Sequence, residues 1–284
     1  MTEILHVLYH ALIHTFFDTL SLIPFLFATY LIMEVLEHRA GESVNRFISK
    51  SGKYGPLAGS ILGLVPQCGF SAATASLFGT GVIGGGTLLA VFLSTSDEML
   101  PVMMSRGLPF SEIGTILALK LGVASFFGFL YSAVIKDKKK ESIEHLCHEE
   151  GCHCERGILH SSVHHTLSVT LFLFVTLFIF EAVMELVGET ALSATLSKTP
   201  FVSSVLSALF GLIPGCASSV IITELYIEGA ISFGTLMSGL LTGSGVGILV
   251  LFRTNKNTRE NLKIVSALVF VGIITGILCD ILLK

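Results

Sequence analysis

Eight apolar stretches fill most of the 284-residue chain, at about 4–36, 55–79, 82–105, 112–135, 163–188, 201–227, 230–252 and 264–283. About 20 apolar residues in helical form span ~30 Å of hydrocarbon. No water is present at that depth to satisfy open backbone groups, so helices or a closed barrel are the only spanning structures. Charged residues make up 13% of the chain and hydrophobic ones 52%, against roughly 25% charged in soluble domains. The sequence therefore reads as an all-α, polytopic membrane protein in the lipid bilayer. The net charge of −4 comes with no basic patch for nucleic acid. The first stretch lacks a basic leader and a small-residue cleavage site, so it counts as structure. The six cysteines do not form a disulfide framework: two lie in apolar stretches, one near the C-terminus and three in one loop.

Internal repetition divides the chain further. Gly63, Pro66, Cys68, Ser71, Gly81, Ile83, Gly86, Thr87, Leu93 and Ser96 each meet an identical residue 148 positions later, from Gly211, Pro214 and Cys216 to Ser244. At an offset of 151, His14-Thr15, Phe27 and Met33-Glu34 meet His165-Thr166, Phe178 and Met184-Glu185. A collinear series that includes Pro, Cys, Thr and Glu is the mark of duplication. The expected organisation is a first membrane repeat over 1–135, a His/Cys-rich connection over 136–162 and a second repeat over 163–284.

Basic residues then choose between two topologies. They gather at Arg39, Arg46, Lys50 and Lys53; at Lys136, Lys138, Lys139, Lys140 and Arg156; and at Arg253, Lys256, Arg259 and Lys263. Eight full crossings with parallel repeats would put the second cluster outside. If 55–79 and 201–227 are instead re-entrant hairpins broken at Pro-x-Cys, all three clusters fall inside, as the positive-inside rule asks. Each hairpin arm is then about 12 residues, or ~18 Å of helix, enough to reach the midplane. The two repeats become inverted, and eight segments become ten when each broken one is counted as two.

Ionisable and backbone-breaking residues at membrane depth mark a pathway or a buried site. Pro66 removes an amide donor and breaks its helix. The carbonyls it frees, with Gln67, Cys68 and Ser71, make a compact ligand set, and Cys216, Ser218 and Ser219 form its counterpart. Ser94, Thr95, Ser96, Asp97 and Glu98 form a polar break in the next stretch; Thr242, Gly243 and Ser244 repeat it, but Gly245 and Val246 replace the acids. Thiolate suits soft ions such as trivalent arsenic, Cu(I), Cd(II) or Zn(II); carboxylate and carbonyl oxygens suit Mn(II). The bland alternative is a kinked helix with a small buried cysteine.

Glu34, Glu185 and Lys120 are candidate coupling groups, alongside Asp18 and Glu181; Glu224 has no acidic counterpart in the first repeat. In the loop, His145, Cys147, His148, Cys152, His153 and Cys154 supply a dense set of N and S donors for an accessory metal. His160, His164 and His165 follow, and His6, His10 and His14 recur every fourth residue. No G-x-S-x-G, Walker A or HExxH sequence is present, so catalysis and ATP hydrolysis have no recognisable machinery.

Pro66-Gln-Cys-Gly-Phe-Ser71, Gly86-Thr-Leu-Leu-Ala90, Phe92-Leu-Ser-Thr-Ser-Asp-Glu98 and Gly211-Leu-Ile-Pro-Gly-Cys216 together give the chain a family resemblance. It resembles the ten-transmembrane heavy-metal exporters, described as arsenic efflux proteins or manganese transporters, and is more distantly similar to the ArsP organoarsenical permeases. The resemblance covers nearly the whole chain. Gln67 and Gly69 flank Cys68, so the adjacent second cysteine of the arsenic permeases is missing. The resemblance implies a non-enzymatic, multi-pass transporter of the inner (plasma) membrane. It would export a heavy-metal or metalloid ion, Mn(II) or a related divalent cation, on an ion gradient and without a required cofactor. Arsenite or organoarsenical efflux is the alternative. A membrane metal sensor or a thiol- or metal-dependent membrane enzyme is the reading from another class. Homo-oligomer formation is left open.

Overall fold

The computed structural model describes residues 54–65, 68–96, 99–135, 158–187, 200–215 and 217–282, with further helical positions between 9 and 31. Among the described residues the secondary structure is entirely helical. The first repeat region contains α1 (Gly55–Gly63), α2 (Cys68–Gly79), α3 (Gly85–Ser94), α4 (Met99–Ser105) and α5 (Phe110–Val134). After α6 (Ile158–Val187) follow α7 (Pro200–Gly211), α8 (Ala217–Ile227), α9 (Phe233–Thr242), α10 (Gly247–Thr254) and α11 (Thr258–Leu282). α9 begins and ends 148 residues after α3, and α11 stands in the same relation to α5.

Among the described residues, five stretches are long and apolar enough to cross a membrane: Gly85–Ser105, Phe110–Val134, Ser162–Ile179, Phe233–Thr254 and Thr258–Leu282. Their exteriors are apolar too. On α6, Leu167, Leu171, Val175 and Ile179 face outward while Val169, Leu173 and Leu177 are buried. A helix that is hydrophobic all round belongs in a core or a bilayer. This is a multi-pass membrane protein.

The helix bounds differ from the apolar stretches for local reasons. Four stretches (55–79, 82–105, 201–227 and 230–252) each contain two helices. The last helix starts at Thr258 rather than near 264, because Asn255 and Asn261 organise its polar first turn. Asn255 Nδ2 donates to Asn261 Oδ1 at 2.7 Å, and Asn261 Nδ2 returns to the Asn255 carbonyl at 2.8 Å.

Contacts fix the direction of each helix. α1 lies beside α3 and runs parallel to it: Gly55 faces Thr87, Gly59 faces Thr87 and Val91, and Gly63 faces Val91 and Ser94. α5 is antiparallel to α3, with Ser132 at Gly86, Gly128 at Ala90 and Lys120 at Thr95. α7, α9 and α11 repeat this three-helix packing. Ser207 donates to the Thr235 carbonyl at 2.8 Å, Gly211 abuts Gly239, and Gly276 abuts Gly234.

The returning arms cross over. α2 packs on α10, parallel to it, with Ser71 at Gly247 and Gly79 at Thr254. α8 packs on α4 and α9. The start of α1, the ends of α2 and α5, the start of α3 and the end of α10 thus share one end of the bundle. The ends of α4 and α8 and the starts of α5 and α9 share the other. There Arg106 pairs with Glu224 at 3.0 Å, and Tyr226 donates to Glu112 at 2.6 Å.

Small residues make this close packing possible. A side chain on Gly63 would meet the Val91 carbonyl at 2.8 Å and Ser94 Cβ at 3.2 Å, both on an ordered helix. Gly114 has nothing within 4 Å. We expect Gly63→Ala to cost about 1–3 kcal/mol of stability through overpacking. Gly114→Ala should instead gain roughly 0.5–1 kcal/mol, because alanine loses less backbone entropy in a helix. Thermal unfolding of the purified variants in detergent checks both signs.

Candidate functional site

Two helices stop and restart at the same depth. α3 ends at Ser94; its cap Thr95 has φ −51° and ψ 123°, outside the helical region. The Ser94 hydroxyl donates back to the Ala90 and Val91 carbonyls at 2.9 and 3.1 Å, and Thr95 Oγ1 donates to Val91 at 2.7 Å. Such back-bonding competes with the backbone ladder and loosens a helix. α4 resumes at Met99, whose amide bonds the Ser96 carbonyl at 3.1 Å.

The second interruption is built from glycine. α9 ends at Thr242; Gly243 adopts φ −68°, ψ 87° and Gly245 adopts φ +54° before α10 starts at Gly247. The left-handed conformation at Gly245 is one that an L side chain would strain. Here too the last hydroxyl back-bonds, Thr242 Oγ1 donating to Ser238 and Gly239 at 3.1 and 3.0 Å.

The α1–α2 and α7–α8 junctions reach the same depth. Ser96 Oγ donates to the Leu64 carbonyl at 2.7 Å, joining the first junction to the first interruption. Gly211, at the end of α7, lies against Gly239 and Thr242. The space at Gly243 faces Ser219 Oγ, 3.3 Å from where a Cβ would stand. Ser71 from α2 lies against Gly247 across the two halves.

Lys120 connects the interruptions. It lies midway along α5, fully buried, and its ammonium donates to the Thr95 carbonyl at 2.7 Å and to the Leu240 carbonyl at 2.6 Å. Both acceptors belong to the last turn of a helix that stops, where unsatisfied carbonyls and the negative pole of the helix dipole favour a cation.

Of the residues singled out from sequence, Ser71, Ser94, Thr95, Ser96, Ser219, Thr242 and Ser244 are all buried around these interruptions, with Lys120 between them. Most of their hydroxyls already donate to backbone, leaving lone pairs as their ligand capacity. Ser244 Oγ has no hydrogen-bond partner among the described residues. Cys68 opens α2, but its side chain, like Gln67, Asp97, Glu98 and Cys216, lies outside the described residues. So do Glu34, His6, His10, His14, Asp18 and the loop carrying His145, Cys147, His148, Cys152, His153 and Cys154. Glu181, Glu185, His160 and His165 are backbone positions of α6 whose side chains are likewise outside; His164 is exposed. Among the described residues no three His, Cys, Asp or Glu side chains converge.

Sequence reasoning left three structural groups unassigned. Glu224 is held by Arg106. Glu112 accepts from Tyr226. Asp280 caps the start of α9, taking the Gly234 amide and the Ser232 hydroxyl at 2.9 Å each. An acid facing a helix N-terminus is a recognisable signal, but its partner lies 46 residues away in sequence.

A membrane bundle whose interrupted helices bring hydroxyls, free carbonyls and an ammonium together at its centre has the architecture of an ion or solute transporter. The family model described as "Putative, 10TM heavy-metal exporter" matches residues 154–284, the second half of the chain. This is the family that the motifs of both halves resemble. Neither the curated proteins nor the solved structures provide a match.

The two serines at the interruptions should respond oppositely to truncation. Ser96→Ala leaves the Leu64 carbonyl without its donor and is expected to cost about 1–3 kcal/mol. Ser244→Ala removes a buried hydroxyl that has no partner among the described residues, so stability should change by less than about 0.5 kcal/mol or rise. Denaturation midpoints in matched detergent distinguish the two.

Proposed function

We propose that this chain is an inner-membrane exporter of a heavy-metal or metalloid ion, working by alternating access between two inverted repeats. The carrying observation is the meeting of two interrupted helices, 148 residues apart in sequence, through one buried lysine. The family match over residues 154–284 supports heavy-metal export as the class.

Helix directions support the inverted arrangement. Residues 55–85 leave one end of the bundle, reach the depth of Ser96 at Leu64, and return to the starting end, as a re-entrant hairpin does. α7 and α8 make the equivalent excursion from the other end. Because α2 packs on α10 and α8 on α4, each hairpin arm bridges to the opposite repeat. The end shared by Gly55, Thr254 and Thr258 adjoins all three basic clusters in sequence and is cytoplasmic by the positive-inside rule.

In this reading Gln67, Cys68, Ser71, Ser94, Thr95, Ser96, Asp97, Glu98, Cys216, Ser219, Thr242 and Ser244 form the substrate site. Asp97 and Glu98 supply the charge for Mn(II) or a related divalent ion; the neutral oxygens complete its shell. The Thr95 carbonyl accepts from Lys120 and its hydroxyl donates to Val91, and each oxygen keeps a lone pair for a ligand. A carboxylate exchanges protons for the metal, with Glu34, Glu185 and Lys120 as further coupling groups. The loop donors His145, Cys147, His148, Cys152, His153 and Cys154 act as an accessory capture site. No resident cofactor is required, and assembly into a homo-oligomer is compatible with the apolar exterior.

Lys120 also favours a second reading. With both acids ionised, one ammonium leaves a net charge of −1, and a divalent ion would reverse its sign in a low-dielectric site. A neutral species such as arsenite, held by Cys68 and Cys216, avoids that reversal. Flux measured in proteoliposomes for Mn(II), Zn(II), Cd(II) and arsenite, with and without a pH gradient, separates the readings. Divalent flux that follows the gradient and falls about 100-fold or more in Asp97→Asn is the expected result, since a buried ligand charge is worth several kcal/mol. Arsenite-only flux that is lost in Cys68→Ser and kept in Asp97→Asn would transfer the protein to the second reading. Metal binding without flux of any substrate would reject transport.

A further inference from the structure

A coupling cation in a broken-helix transporter is typically coordinated by carbonyl oxygens at the unwound, C-terminal ends of half-helices. The Thr95 and Leu240 carbonyls occupy such positions, one in each half of the chain. In an uninterrupted helix the Thr95 carbonyl would accept from the Met99 amide. That amide turns instead to Ser96. The oxygens at this junction are thus directed at a cation, and the cation present is the Lys120 ammonium, at 2.7 and 2.6 Å.

The corresponding position in the second half is Leu268, also fully buried. A packed, apolar residue fits this place in the fold, so packing alone does not call for a lysine there. A fully buried ammonium is costly at membrane depth and persists where it has a function. Its two described acceptors are backbone oxygens from different halves, so it binds the halves together as an ion would.

We propose that Lys120 is a tethered coupling-type cation: its ammonium permanently fills an alkali-metal or ammonium seat between the two interruptions. The seat joins Thr95 to Leu240, and filling it covalently makes the protein independent of Na⁺ or K⁺. The proposal requires no change in the protonation of Lys120. It rests on the transport reading only for its flux measurements; the seat itself is a statement about binding.

Truncation tests it. Lys120→Ala opens the seat without a charge, and Lys120→Met fills most of the same volume with an apolar chain. The melting temperature of purified wild-type protein should be unaffected by replacing choline with NaCl, KCl or methylammonium chloride at constant ionic strength. The melting temperature of Lys120→Ala should rise by about 5 °C at saturating cation, through mass action on the folded state. Lys120→Met should not respond. In proteoliposomes, Lys120→Ala flux should fall about 100-fold in choline and recover at least tenfold in whichever cation stabilises the variant. If Lys120→Ala is monodisperse only when a small cation is present, that too is the expected behaviour. A Lys120→Ala protein that responds to none of the cations, or responds no more than Lys120→Met, overturns the proposal. Stabilisation by cations without flux in any variant, wild type included, would preserve the seat and reject the transport reading.

Discussion

Every backbone group released at the middle of the bundle must find a partner inside the protein, because hydrocarbon offers none. The structure meets this constraint by making interruptions satisfy one another. The carbonyls freed at the ends of α3 and α9 converge on Lys120. The Leu64 carbonyl at the α1–α2 junction is taken by Ser96 from the adjacent interruption. Hydroxyls of Ser94, Thr95 and Thr242 turn back onto their own helices. None of these breaks could be opened alone without leaving a buried polar atom unmatched, which gives the centre its definition.

That arrangement depends on backbones coming unusually close. Within a bilayer, apolar side chains gain little by leaving lipid for protein, so helices associate through close packing of small residues and through polar contacts. Gly55, Gly59 and Gly63 bring α1 against α3 along one face. On the second three-helix cluster the corresponding surface is richer in serine: Ser207 bonds the Thr235 carbonyl, and Ser238 bonds the Ser204 carbonyl at 2.7 Å. Glycine gives closeness and serine adds a hydrogen bond, so the two clusters reach similar packing with different chemistry. The crossed arms also pack closely, with Ser71 against Gly247 and Gly79 against Thr254. Thr254 Oγ1 donates to the Ala75 carbonyl at 3.3 Å, and Arg106, which is exposed, pairs with the half-buried Glu224 at 3.0 Å.

Hydropathy made the long helices legible. The stretch expected at 112–135 is a helix at Phe110–Val134, because apolar side chains continue to both ends. The stop at Ser94 was legible from chemistry, since Ser94-Thr-Ser96 offers hydroxyls that compete with the backbone; Pro66 lies outside the described residues. What sequence could not supply was partnership. Lys120 stood out as a charge in an apolar run, but one of its acceptors is the carbonyl of Leu240, and a backbone atom carries no sequence signal. Glu224 lacked any assignment because Arg106 is 118 residues away and attached to the other half. Residues 253–263 read as a polar connection, yet α11 starts at Thr258, since a side-chain network between Asn255 and Asn261 starts a helix well before the apolar stretch begins.

The distribution of charge between the halves bears on how such a centre could move. Lys120, Asp97 and Glu98 all belong to the first half, where their counterparts in the second are Leu268, Gly245 and Val246. The second half contributes oxygens without formal charge: the Leu240 carbonyl and the hydroxyls of Thr242, Ser244 and Ser219. Separating opposite charges at low dielectric is expensive, because their attraction there is many times its value in water. In the proposed site, formal charge is thus confined to residues of the first half, and Lys120 links it to the second through the Leu240 carbonyl. Neutral hydrogen bonds are individually worth about 1 kcal/mol, so exchanging several of them is compatible with a reversible step. In the reading proposed here, a duplicated scaffold would supply two alternative geometries, and formal charge confined to one copy would need no separation of opposite charges between them.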